Sequence, residues 1–238
     1  MTAQKNTLNI KTAGDIQSAD IFIEADVVIV GSGAGGAINA YELAKQGKKV
    51  VVLEAGPYVP SSKFSEMLAV GMGTLYQDEG GQANTHGDIT VLQGACVGGS
   101  TVVNAALCFR TPDYYLDLWA KEFGLTNLTP KLMAGYFDTI EKNLSIDTNG
   151  AHETSIGAHL IAQGLEKLKI KRGVARRNIR DCALTGFCFS GCKTDRKQSM
   201  LVTYLPWACN HGAEIYADTR VTRITTQNGQ ASGVEAVI

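Results

Sequence analysis

Residues 27–56 read VVIVGSGAGGAINAYELAKQGKKVVVLEAG. The stretch passes from an apolar strand through a glycine-rich turn into a helix, then into a second apolar strand that ends on a carboxylate. A dinucleotide-binding βαβ unit needs these parts in this order. Gly31 lets the strand turn tightly, Gly33 lets the backbone approach a pyrophosphate with no Cβ in the way, and Gly36 lets the helix lie close to the sheet. The amide N–H groups at the helix start then face the ligand's negative charge. Glu54, at the end of the second strand, can accept hydrogen bonds from both hydroxyls of an adenosine ribose, and it would repel a 2′-phosphate.

The flanking sequence supports this reading beyond the glycine spacing itself. Asp26 precedes the unbroken apolar run 27–30, the signature of a parallel strand buried on both faces. Residues 34–46 carry Ala37, Ile38, Ala40, Leu43 and Ala44 at helical spacing, and Gly47 stops the helix. Residues 49–53 form the second buried strand.

Size and charge narrow the class. A chain of 238 residues buries roughly 70–75% of its unfolded surface, enough for one large or two small domains. The formal net charge of −1 offers no field for nucleic acid or anionic lipid. No apolar run reaches the roughly 18 residues of a membrane span, and the polar N-terminus lacks a secretory core, so a cytoplasmic protein is expected. Six cysteines in that setting read as reduced thiols.

Residues 1–25 read as a polar lead-in holding a short edge element. Residues 57–93 are glycine-rich and irregular, as in a lid or binding loop. Helices are predicted over 112–122, 130–143, 155–168 and 199–209, and the basic tract 167–180 reads as solvated surface. Strands follow at 213–216, 221–226 and 232–238 as a β-meander, with Asn228-Gly229 turning the last hairpin. The apolar run at Val237-Ile238 reads as a strand cut short, so the chain is expected to be C-terminally incomplete, with a substrate domain absent.

A second glycine-rich patch, GACVGGSTVVNAALCFR (94–110), separates the candidate ligands. The first loop suits NAD and FAD equally. Paired glycines at 98 and 99, with Ser100, Thr101 and Asn104 as donors and acceptors, suit a ligand long enough to reach both loops, which favours FAD. An NAD-dependent dehydrogenase would leave this second loop without a role.

With both loops in hand, the chain resembles the N-terminal part of the glucose-methanol-choline (GMC) oxidoreductase family. The resemblance rests on VVIVGSGAGG, VVVLEAG, GACVGGSTVVNAALCFRTP and KQSMLVTYLPWACNHGAEIYADTRVTRI, in that order. It implies an α/β, Rossmann-like FAD-binding domain over residues 26–238 with a parallel central sheet and a helical, cysteine-rich insertion over 111–198. It further implies that Gly31, Ser32, Gly33, Ala34 and Gly36 cradle the pyrophosphate and that Glu54 holds the ribose. Gly98, Gly99, Ser100 and Asn104 would line the flavin side, and Val221 would present its backbone to adenine. Some members tether FAD through a histidine just before that asparagine. Val103 stands there in this chain, which implies non-covalent FAD.

The implied reaction is oxidation of a small-molecule alcohol, with an electron acceptor to regenerate the flavin; a non-catalytic FAD-binding fragment is the alternative. None of His86, His152, His159 and His211 falls in a catalytic motif, so no catalytic residue is assigned. Cys182, Cys188 and Cys192 are spaced C-x5-C-x3-C, unlike paired zinc or iron–sulfur ligand sets, while Cys209 or His211 could supply a fourth ligand and keeps a metal as the alternative to reduced thiols. The segment is similar to one in the long-chain alcohol oxidase branch, with Thr185 where a further cysteine often sits. No metal is assigned.

Overall fold

A computed structural model describes residues 8–18, 20–148 and 150–238. Most of the lead-in expected over 1–25 is therefore visible, while 1–7 and 19 lie outside the described residues. In chain order the strands are β1 (Ile10–Lys11), β2 (Val27–Val30), β3 (Val50–Leu53), β4 (Gln82–Ala83), β5 (Thr90–Val91), β6 (Leu107–Cys108), β7 (Ile146–Thr148), β8 (Arg176–Asn178), β9 (Glu214–Tyr216), β10 (Arg220–Gln227) and β11 (Gln230–Val237). The helices are α1 (Ala34–Ala44), α2 (Leu68–Leu75), α3 (Ser100–Val103), α4 (Asp113–Phe123), α5 (Pro130–Asn143), α6 (Ile156–Lys167) and α7 (Tyr204–Asn210). The chain divides into two compact units. One comprises Met1–Ala105, Gly186–Asp195 and Ser199–Ile238, and the other Ala106–Thr185 with Arg196–Gln198. The cysteine-rich end of the expected insertion thus belongs to the first unit.

The first unit is built on a parallel sheet of order β1-β9-β3-β2. Ile10, Ile215, Val52 and Ile29 form one row across it. All four residues of β3 are buried, so this strand carries the hydrophobic load, at about 1.5–3 kcal/mol per side chain. Against one face lies α1, whose buried Ala37, Ala40 and Ala44 let it approach closely. Next to α1 is α7, and Tyr41 packs its ring edge-on to Tyr204 and Trp207. On the other face, Val51, Leu53 and Tyr216 gather Ile16, Ile23, Val28, Val221 and Val234 around them. A cavity of about 1250 Å³ opens there between the 13–26 segment and β11, away from both glycine loops.

Four expectations change. The run 27–30 is not buried on both faces: β2 is an edge strand, and Val30 is 57% exposed. The predicted three-strand meander loses its first member, because β9 pairs in parallel with β3 and only β10 and β11 form an antiparallel hairpin. That hairpin turns at Asn228 and Gly229, both at positive φ, as a two-residue Asn-Gly loop demands. Residues 57–93 are not wholly irregular, since α2 forms within them and buries Gly71 and Leu75; a Cβ on Gly71 would come within 2.9 Å of Ser190 Cβ. The helix expected over 199–209 starts only at Tyr204, with Pro206 in its first turn, where a missing N–H costs nothing.

The second unit holds an antiparallel sheet of order β6-β8-β7, which the sequence reading missed. The predicted helices here form nearly as expected. Thr129 caps α5 by accepting from Leu132 N–H, Ser155 caps α6 by accepting from Ala158 N–H, and Gly124 ends α4 in the left-handed region. The basic tract is partly structural, because Arg176 in β8 pairs with Glu141 of α5 and donates to Ile146 O at 2.9 Å. Arg110 donates to Glu141 from Nε at 2.7 Å and reaches Asp138 at 2.6 Å.

Flanked by two guanidinium groups, the Glu141 carboxyl is held down at about 2, with the Arg110 hydrogen bonds the larger cause. A depressed carboxylate contributes stability above its unfolded value of 4.5 and loses it as pH falls toward 2. Glu141→Gln is expected to flatten the acid limb of stability between those limits and to lower stability at pH 7, as read by thermal melts across pH.

Candidate functional site

The first glycine loop springs from the carboxyl end of β2, and Glu54 from that of β3. There Gly31 N–H donates to Leu53 O at 2.8 Å, closing the turn, with φ of 90° at Gly31. Such a backbone suits only glycine at low cost. Gly33 is the N-cap of α1, and the first helical bond runs from Ala37 N–H to Gly33 O at 2.9 Å. The first-turn amides ahead of Ala37 therefore have no acceptor inside the helix and form its positive end. An ideal Cβ on Gly31 or Gly33 would meet nothing within 4 Å, whereas on Gly36 it would lie 1.9 Å from Gly31 O. Gly36 is fixed by packing, and Gly31 and Gly33 border open space. Ala34 and Gly35 are exposed at the same edge.

Ser32 does something the sequence reading missed. Its side chain turns inward and is fully buried, with the backbone N–H and the hydroxyl both donating to Glu54 Oε2, at 2.8 and 2.7 Å. Gly56 N–H donates to Glu54 Oε1 at 2.9 Å. A carboxylate offers about four lone-pair sites. With three already used here, Glu54 has room for one further donor rather than two ribose hydroxyls. The Glu54 backbone is equally fixed, its N–H donating to Tyr216 O at 2.9 Å and its carbonyl accepting from Thr219 N–H at 2.8 Å.

The second loop lies directly against the first. Gly98 N–H donates to Ser32 Oγ at 2.9 Å, and a Cβ on Gly99 would come within 2.9 Å of Gly33 Cα. Gly98 and Gly99 have φ of 97° and 55°. Gly94 and Gly56 are also forced: a Cβ on Gly94 would meet Gly99 backbone at 2.7 Å, and one on Gly56 would meet Ala95 O at 2.1 Å. Ser100, exposed at the start of the short α3, accepts from Gly94 N–H at 3.0 Å and keeps its own proton to donate. Asn104 is exposed at the end of α3. Thr101, read from sequence as a donor and acceptor for the ligand, instead donates to Gly98 O at 2.6 Å and accepts from Met200 N–H at 3.0 Å, tying the loop to the chain before α7. Val103 is buried, and its carbonyl accepts from Tyr76 Oη at 3.2 Å. Burial pushes the Tyr76 phenol up, keeping it a neutral donor.

Val221 stands apart from the loops by its side chain. In β10 it pairs with Ala236 and packs on the Val51, Leu53 and Tyr216 cluster, two residues after the Thr219 amide that holds Glu54. None of the six cysteines is in a disulfide. Cys182 belongs to the second unit, while Cys188 and Cys192 belong to the first. Among the described residues no three His, Cys, Asp or Glu side chains gather as a metal set. The four histidines are all exposed.

Two adjacent glycine loops, a helix N-terminus and a fixed carboxylate suit a long dinucleotide. Comparison with known proteins agrees. The GMC oxidoreductase family model matches residues 72–237, and an FAD binding domain model matches residues 26–89. A GMC-type oxidoreductase of Sinorhizobium fredii, described as uncharacterized, is 34% identical over 92% of this chain and 43% of its own length. A long-chain-alcohol oxidase of Arabidopsis thaliana is 32% identical over 92% of this chain and 29% of its own. The fold is that of pyridoxine 4-oxidase from Mesorbium loti, with a TM-score of 0.65 at 18% identity over 90% of this chain and 46% of that one. Formate oxidase is similar in fold at a TM-score of 0.64 and 16% identity, over 90% of this chain and 42% of that one. The chain thus spans less than half the length of these proteins. Among the described residues no helix is long and apolar enough to cross a membrane.

The glycine contacts make an ordered prediction for the ligand-free chain. Gly36→Ala drives a Cβ into Gly31 O and is expected to cost about 3 kcal/mol in urea unfolding. Gly35→Ala, in open space on α1, is expected to stabilise by up to about 1 kcal/mol.

Proposed function

The chain belongs to the GMC oxidoreductase family, and from this premise we propose that it is the FAD-binding part of an oxidoreductase acting on the CH–OH group of an alcohol. The observation that carries the reading is the contact of the two glycine loops at Gly33 and Gly99, which sets the N-terminus of α1 beside the loop that leads into α3. In this reading the first-turn amides of α1, from Gly33, Ala34 and Gly36, hold the pyrophosphate through N–H groups and the helix dipole, while Gly31 and Ser32, whose amides bond Leu53 O and Glu54, shape the turn around it. Glu54 accepts from the adenosine ribose, and the Val221 backbone borders adenine. Gly98, Gly99, Ser100 and Asn104 face the flavin half of the cofactor, with the Ser100 hydroxyl as a free donor. Bound FAD supplies the hydride acceptor for alcohol oxidation.

Val103, aliphatic and buried, offers no atom for covalent attachment, so the cofactor is held non-covalently. An alcohol substrate fits the long-chain-alcohol oxidases among the relatives, and an electron acceptor completes the cycle. We assign no catalytic base to the four histidines. A cytoplasmic setting belongs to the same reading. A second reading, an FAD-binding part without turnover of its own, is supported by the coverage of under half of each relative.

Titration of the purified chain with FAD, followed by flavin fluorescence and visible absorption, tests the proposal. Tight saturable binding is expected; a folded chain that leaves FAD free overturns the reading. Bleaching by an alcohol under anaerobic conditions separates turnover from binding alone. Gly33→Ala is expected to leave unfolding of the ligand-free chain within about 0.5 kcal/mol, because its φ is −67° and its Cβ has open space. The same change is expected to weaken FAD by about tenfold or more, because the Cβ enters the phosphate approach.

A further inference from the structure

We propose that Ser32 is a positioning residue that couples the two halves of the cofactor site, its one hydroxyl fixing both the adenosine-side carboxylate and the flavin-side loop. The inference rests on the FAD reading above and adds to it a role for a side chain that does not face the ligand. The hydroxyl donates its single proton to Glu54 Oε2 at 2.7 Å, and its oxygen accepts from Gly98 N–H at 2.9 Å, from a residue 66 positions further along the chain. Both bonds are buried, and Ser32 itself is fully buried, so water cannot substitute for either partner without entering the core.

The direction of these bonds matters. With its proton committed to a carboxylate, the Ser32 oxygen is a polarised acceptor for Gly98 N–H, and the chain of bonds strengthens at each step. Gly98 in turn sets Gly99, whose backbone rests on Gly33, and Gly98 O accepts from Thr101 in α3. Displacement of Glu54 is therefore transmitted through Ser32 to the loop that carries Ser100. The Ser32 and Gly56 amides also donate to the Glu54 carboxylate, and they hold it in place from the first loop and from its own strand end.

The coupling gives ADP and FAD different sensitivities. ADP needs only the first loop and Glu54, whereas FAD needs both loops in register. Ser32→Ala is expected to weaken FAD by about tenfold more than it weakens ADP, the loss of a charge-assisted bond and its buried partner. Ser32→Cys, which keeps a weak donor and acceptor, is expected to fall between the two, and it serves if the alanine variant fails to fold. A second readout needs no cofactor. In hydrogen exchange of the ligand-free variants, the Gly98 amide is expected to lose protection while the Gly31 amide, bonded to Leu53 O, keeps its own. Equal weakening of ADP and FAD, or unchanged exchange at Gly98, overturns the proposal. A wild-type chain that binds neither ligand counts against the FAD reading itself, and Gly98 exchange still decides the Ser32 bracket.

Discussion

The pairing of β3 with β2 on one side and β9 on the other is the constraint from which the site follows. Because all three run in parallel, residues 31, 54 and 217 leave the sheet at the same end, although they come from distant parts of the chain. Gly31 N–H then reaches Leu53 O, and Glu54 N–H reaches Tyr216 O. The turn, the carboxylate and the β9 exit are locked together before any side chain acts. Burial of all of β3 drives this arrangement, and it places Glu54 at the end of a fully buried strand.

Around that end, the site is organised by backbone contact more than by side-chain chemistry. Gly36 meets Gly31, Gly99 meets Gly33, Gly94 meets Gly99, and Gly56 meets Ala95, each at a distance that excludes a Cβ. The amides of Gly31, Gly56, Gly94, Gly98 and Gly99 are bonded within this packing, so the environment that suits a pyrophosphate is the N-terminus of α1. The carboxylate of Glu54 lies close behind them, held by donors that orient it and share its charge. Ser32 is the side chain that joins these layers.

The second unit follows a different logic. Its short antiparallel sheet and its helices expose much apolar surface, and the Arg110, Glu141 and Arg176 cluster supplies directional contacts where hydrophobic burial is thin. Ion pairs of this kind contribute modestly at an exposed surface, so acid should loosen this region before the β3 core.

The sequence by itself determined the βαβ unit, the identity of both glycine loops and the capped helices, because each depends on local rules: apolar runs, glycine where a Cβ cannot fit, and Thr, Ser or Gly at helix ends. Leu53 and Glu54 could be placed at a strand end from the VVVLEAG run alone. The tertiary structure decided what depends on distant partners. The three residues of β9 read as part of a meander, yet long-range burial beside β3 drew them into the parallel sheet. The 27–30 run read as interior, yet strand order left it at an edge. The inward turn of Ser32 has no local signature, because its acceptor and its donor lie 22 and 66 residues away, and only the folded chain brings them to one hydroxyl.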